Sequence, residues 1–100
     1  MSTRTKARSS PGPASRTAPP LRVERVQLGV RIEKRLAKVL KGIAELNDQT
    51  LAEALEEIVL HAFEGHCAFG PNGLKKITEL KKVYGLDYDT HASYRFIEEP

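Results

Sequence analysis

Arg25, Gln27, Gly29 and Arg31 lie two residues apart, and their chemistry points to one class of target. A guanidinium is a flat fork of donors that pairs bidentately with guanine O6 and N7, and a Gln carboxamide does the same with adenine N6 and N7. On a pleated backbone, side chains two residues apart point the same way, so one strand would present these positions as a row. Gly29 adds no side chain to the row. It weakens a strand and lets another backbone approach closely. Between these positions stand Val26, Leu28, Val30 and Ile32, all apolar. Such alternation is the period of a half-buried strand, expected from about Glu24 to Ile32.

A single strand leaves its backbone N–H and C=O groups unpaired, and everything after Ile32 reads as helix. The expected partner is the same strand in a second copy, giving an intermolecular two-stranded antiparallel ribbon. One face would be apolar and the other would carry Arg, Gln and Gly. A ribbon of this kind fits the major groove of DNA. The expected fold class is therefore mainly α with one β-strand.

Three amphipathic helices are expected behind the strand. Leu36, Val39, Leu40, Ile43 and Leu46 make one apolar stripe and predict a first helix over 33–46, with Glu33 suited to its positive end. Gly42 is a poor helix residue that either permits a close crossing or is simply tolerated, and Asn47 is a candidate left-handed stop. Thr50-Leu51-Ala52-Glu53 has the form of a capping box and predicts the start of a second helix. Leu51, Leu55, Ile58, Val59 and Ala62 form its apolar stripe, and Glu64-Gly65 ends it. Phe69 to Gly73 reads as turn chemistry. Leu74, Ile77, Leu80 and Val83 or Tyr84 then mark a third helix that Gly85 stops. A short last helix is expected within 87–96, capped by Asp87 or Asp89.

This order and spacing resembles the ribbon-helix-helix family of DNA-binding proteins, the class of the MetJ, Arc and CopG repressors. The residues that carry the resemblance are Val30-Arg31-Ile32-Glu33, then Leu36, Leu40 and Ile43-Ala44, then Thr50-Leu51-Ala52-Glu53 and Leu55, about two-fifths of the chain. The resemblance implies an obligate dimer whose outward strand side chains read bases. Here those are Arg25, Gln27, Gly29 and Arg31, with Gly29 a departure from the family's usual side chain. It also implies that the start of the second helix, Thr50, Leu51 and Ala52, holds a phosphate on its backbone N–H groups. Lys34 and Arg35, at the start of the first helix, are candidates for further phosphate contacts.

Charge is unevenly spread. The chain of 100 residues has a formal net charge of +3. Residues 1–22 contain Arg4, Lys6, Arg8, Arg16 and Arg22 and no acid, while Arg25 to Lys41 holds six bases against Glu33 alone. The remainder is acidic. A basic stretch on an acidic body suits a polyanionic partner. Residues 1–22 are rich in Ser, Thr, Pro, Ala and Arg and are expected to be a disordered basic tail. That tail has no apolar core, so no signal peptide is expected, and no apolar run is long enough to span a membrane. The single Cys67 excludes an intrachain disulfide and suits a reducing cytoplasm.

His61, His66, Cys67 and His91 are the conceivable metal ligands, but no spacing resembles a metal module. Cys67 has no base and orienting group set out by the sequence, and no phosphate loop or paired-carboxylate signature appears. No metal, cofactor or catalytic residue is expected. The expected organisation is a disordered tail over 1–22, a ribbon-helix-helix domain over 23–65 and a helical extension over 66–100. The expected function is sequence-specific duplex DNA binding by a cytoplasmic homodimer that represses transcription. The alternative is a protein-interaction module, such as an antitoxin whose C-terminal helix binds a partner protein. A dimer that has lost DNA binding is a third possibility, favoured by Gly29 and by the acids Glu53, Glu56 and Glu57.

Overall fold

Glu33 opens the first helix. In the computed structural model, which describes residues 19–99, its carboxylate accepts a hydrogen bond from the Leu36 N–H at 3.1 Å and caps helix α1, Lys34–Leu46. The Asn47 N–H closes the other end on the Ile43 and Ala44 carbonyls. Asn47 itself keeps a negative φ, and the left-handed residue is Asp48, at φ 53°. A short polar side chain is among the few that adopt this conformation readily.

Helix α2, Leu51–Phe63, starts at the capping box expected from its sequence. The Thr50 Oγ1 accepts from the Glu53 N–H at 3.1 Å, and the Glu53 carboxylate accepts from the Thr50 N–H at 2.8 Å. Removing the hydroxyl strands a helix-end donor. Thr50→Ala is therefore expected to cost about 1 kcal/mol, read as a lower urea midpoint at unchanged slope.

Helix α3, Pro71–Tyr84, begins inside the stretch expected to be a turn. Pro71 occupies the first helical position, where a missing N–H leaves no bond unmade, so Asn72 and Gly73 are already helical. Gly85 ends the helix at φ 71°, a conformation that suits a residue without Cβ. The helix expected within 87–96 is only a single 3-10 turn, Thr90–Ala92, with the Asp89 carboxylate accepting from the His91 N–H at 3.0 Å.

α1 is the central element. α2 and α3 each pack on it, and not on each other. Val39 and Ile43 of α1 are buried with Leu86, and Phe69, Ile77, Leu80 and Tyr88 pack around them. Gly42 lies against Leu80, where a Cβ would come within 3.0 Å of the Leu80 methyl. It therefore serves the close α1–α3 crossing. On the other side the buried residues are small, Ala44 of α1 and Ala54 of α2. Leu36, Leu55 and Val59, all placed on the expected stripes, remain exposed.

The expected β-strand is not found. Among the described residues there is no strand and no sheet, and residues 21–33 run without helix, strand, turn or bend. For the described residues the fold class is corrected from mainly α with one strand, in an intermolecular ribbon, to three α-helices and one 3-10 turn. The physical reason is that a strand is a hydrogen-bonding relation between two segments. α1, α2 and α3 spend their backbone groups internally, so residues 24–32 meet no second edge among the described residues. Alternation alone does not supply one. Val26 and Leu28 stand 80% and 76% exposed instead of half-buried. The expected disordered tail over 1–22 falls mostly on residues 1–18, outside the described residues. No helix among the described residues is long and apolar enough to cross a membrane.

Candidate nucleic-acid interface

The stretch before α1 carries its cations and amide in the open. Arg25, Gln27 and Arg31 are exposed, as is Lys34 at the start of α1. Nothing lies within 4 Å of the place a Cβ would occupy on Gly29, so this position has room for a side chain and none is present. The arginines differ in how they are held. Arg25 donates to the Glu56 carboxylate of α2 at 2.7 Å, tying this stretch to α2. Arg31 is the loosest, 3.7 Å from Glu98 with both side chains mostly in solvent.

Arg35 is engaged on several sides. Its Nε donates to Glu33 at 3.2 Å, and its Nη1 donates to the Gly85 carbonyl at 3.1 Å and to Asp87 at 3.2 Å. The guanidinium also lies 5.4 Å from the centre of the Tyr88 ring. Glu33 in turn accepts from the Tyr88 hydroxyl at 2.7 Å. Chiefly through that hydrogen bond, with Arg35 and the Leu36 N–H adding to it, the Glu33 carboxyl titrates at about 2 in place of the usual 4.5. Burial, and then the bond to Glu33, push the Tyr88 phenol up to about 12.

These shifts set two pH windows. The Glu33 contribution to stability is fully present above about pH 4.5 and is lost as the pH falls towards about 2. The Tyr88 contribution is present below about pH 10 and is lost as the pH rises towards about 12. Tyr88→Phe removes the donor, so the Glu33 carboxyl is expected to move up towards the ordinary carboxylate range. An NMR pH titration of the Glu33 side chain reads this directly. An unmoved midpoint would show that Arg35 and the Leu36 N–H hold the carboxylate without Tyr88.

At the start of α2, Thr50, Leu51 and Ala52 are exposed together. Glu53 and Thr50 satisfy each other, while among the described residues no acceptor engages the Leu51 or Ala52 N–H. The acids of α2 also have intrachain partners. Glu56 takes Arg25, Glu53 completes the cap, and Glu57 accepts from the Gln49 carboxamide at 2.9 Å. They are not a bare acidic face opposed to a polyanion.

Sequence patterning singled out the cations but not their partners. Glu33 is local to Arg35, and its role as a helix cap can be read from its place before α1. Gly85, Asp87, Tyr88 and Glu98 come from the far end of the chain, and no local spacing reports them. His61 is held at its own helix, its Nδ1 2.7 Å from the Glu57 carbonyl, and His91 lies beside Asp89. Cys67 is exposed. Among the described residues no three His, Cys, Asp or Glu side chains come together to hold a metal ion.

No protein-family model matches this chain, and no curated protein and no solved structure matches it. The resemblance to ribbon-helix-helix proteins therefore rests on the residues from Val30 to Leu55 and on nothing beyond them.

Proposed function

We propose that this protein is a non-enzymatic, sequence-specific binder of duplex DNA that acts in the cytoplasm as a homodimer and represses transcription. The observation that carries this reading is the stretch from Arg25 to Lys34, in which Arg25, Gln27, Arg31 and Lys34 stand in solvent immediately before and at the start of α1. Arg25, Gln27 and Arg31 meet base edges in the major groove. Lys34 and the exposed first turn of α2 at Thr50, Leu51 and Ala52 meet phosphates. Gly29 leaves the row one contact short.

Homodimerisation is supported by what one copy leaves uncovered. Val26, Leu28, Val30, Ile32, Leu36, Leu55 and Val59 are all exposed. Large apolar side chains left in water in this number favour a partner surface that covers them. A second copy covers it and doubles the number of base-reading side chains.

The test is selection of random-sequence duplexes by the purified full chain at two salt concentrations, with sequencing of what is retained. A short palindromic or tandem motif, weakened steeply by salt, is the expected result. No retention at either salt would overturn the reading. The second reading is a protein-interaction module working through residues 66–100. It is favoured by Tyr94 and Ile97, which are almost wholly in solvent. A partner captured through those residues would be insensitive to salt, unlike DNA.

A further inference from the structure

Residues 85–99 run back across Arg31, which the proposed DNA contact uses, and Arg35, a further cation at the start of α1. Their beginning is anchored. Leu86 is buried against Val39 and Ile43, the Tyr88 hydroxyl donates to Glu33, and Asp87 takes Arg35 at 3.2 Å beside the Gly85 carbonyl. Their end is folded over. The Phe96 ring meets the Tyr88 ring edge-on, with centres 5.2 Å apart. Beyond it Glu98 comes within 3.7 Å of Arg31. Residues 85–99 contain four carboxylates, Asp87, Asp89, Glu98 and Glu99, against Arg95 alone. Two of them, from opposite ends of the segment, reach two different cations of the same surface.

We propose that residues 85–99 form an acidic strap that competes with DNA for Arg31 and Arg35, and so restrains the DNA affinity of this surface. The proposal rests on the DNA reading above and names a regulation of that site. Both ion pairs are solvent-accessible, and such pairs hold weakly. The strap is therefore displaced by a polyanion rather than blocking it outright. Its cost falls on every duplex alike, because binding to any sequence draws on the same cations and the same release of counterions. Base-edge contacts at a correct site offset that cost, and contacts at random sequence do not. The strap thereby lowers affinity for operator and random duplexes by the same factor, and base-edge contacts keep the operator complex the tighter of the two.

Leu86, Tyr88 and Phe96 hold the strap without charge, so Asp87 and Glu98 can be neutralised while these three stay in place. The experiment compares the full-length wild type with D87N/E98Q and with E64Q/E79Q, which removes the same charge from α2's end and from α3. Affinity for a random-sequence duplex is measured from low to moderate salt. D87N/E98Q is expected to bind about three- to tenfold more tightly than E64Q/E79Q at low salt. Its log K against log salt is expected to be steeper by up to about 2, from two added phosphate contacts. Equal affinity and slope in the two variants would overturn the strap while leaving DNA binding intact. No binding by any of the three at low salt would overturn the DNA reading itself, and the strap's competing role with it. Thermal melting of each variant separates a charge effect from unfolding. If the double variant melts early, E98Q alone, which leaves every anchor in place, carries the comparison.

Discussion

Arg31→Ala is expected to abolish sequence preference while leaving the dimer assembled. Arg31 points into solvent, its only intrachain ion pair among the described residues the 3.7 Å approach to Glu98. Its loss should change stability by no more than about 0.5 kcal/mol, the usual range for a surface substitution. In the major groove the same side chain would make a bidentate guanine contact, each worth about 1–3 kcal/mol of discrimination. A homodimer carries two. The selected motif should then flatten, with operator affinity falling towards that for a scrambled duplex, while sedimentation reports an unchanged mass. Lys34→Ala is the informative contrast. Without the Lys34 ammonium on a phosphate, binding should weaken for all sequences alike and the salt slope should become shallower by about 1. An Arg31→Ala protein that is monomeric or unfolded would mean that Arg31 serves the fold or the dimer contact and not base reading.

Leu86→Ala is expected to have the largest effect on stability. Leu86 is 8% exposed and packs with Val39 and Ile43 at the centre of the cluster that joins α1, α3 and the last segment. Emptying such a site costs about 2–5 kcal/mol, depending on how far the surroundings collapse into it. A small domain has only about 5–15 kcal/mol in total, and a short chain lies near the lower end. The variant should therefore melt at a much lower temperature or fail to fold cooperatively. Val83→Ala, at an apolar side chain 72% exposed on α3, should melt with the wild type. Equal melting of Leu86→Ala and Val83→Ala would mean that residue 86 is not part of the core. Leu86 also anchors the segment that brings Asp87 and Tyr88 to Arg35 and Glu33. Any Leu86→Ala protein that still folds should release the Glu33 carboxyl towards its ordinary titration range.

The acids of α2 show how a local reading of charge can mislead. From composition, Glu53, Glu56 and Glu57 count against a polyanionic partner. In the fold, the first caps its own helix, the second holds Arg25 and the third accepts from Gln49. Arg35 shows the reverse. It reads as one more exposed cation at a helix start, yet Glu33, Gly85, Asp87 and Tyr88 surround its guanidinium.

Interactions a few residues long are the part of this structure that the chain spells out. The Thr50–Glu53 cap, the helical spacing of α1, α2 and α3 and the stop at Gly85 are legible, because each depends on residues within about one turn of one another. Packing between distant segments settled which part of each stripe is buried, and it chose Val39 and Ile43 over Leu36 and Leu55. The same packing made Leu86 a core residue and brought Tyr88 to Glu33, 55 positions away in the chain. It also left residues 24–32, with the period of a strand, without a strand to pair with among the described residues. Periodicity states which side chains share a face. Whether anything comes to meet that face depends on segments far away in the chain, and no local pattern records them.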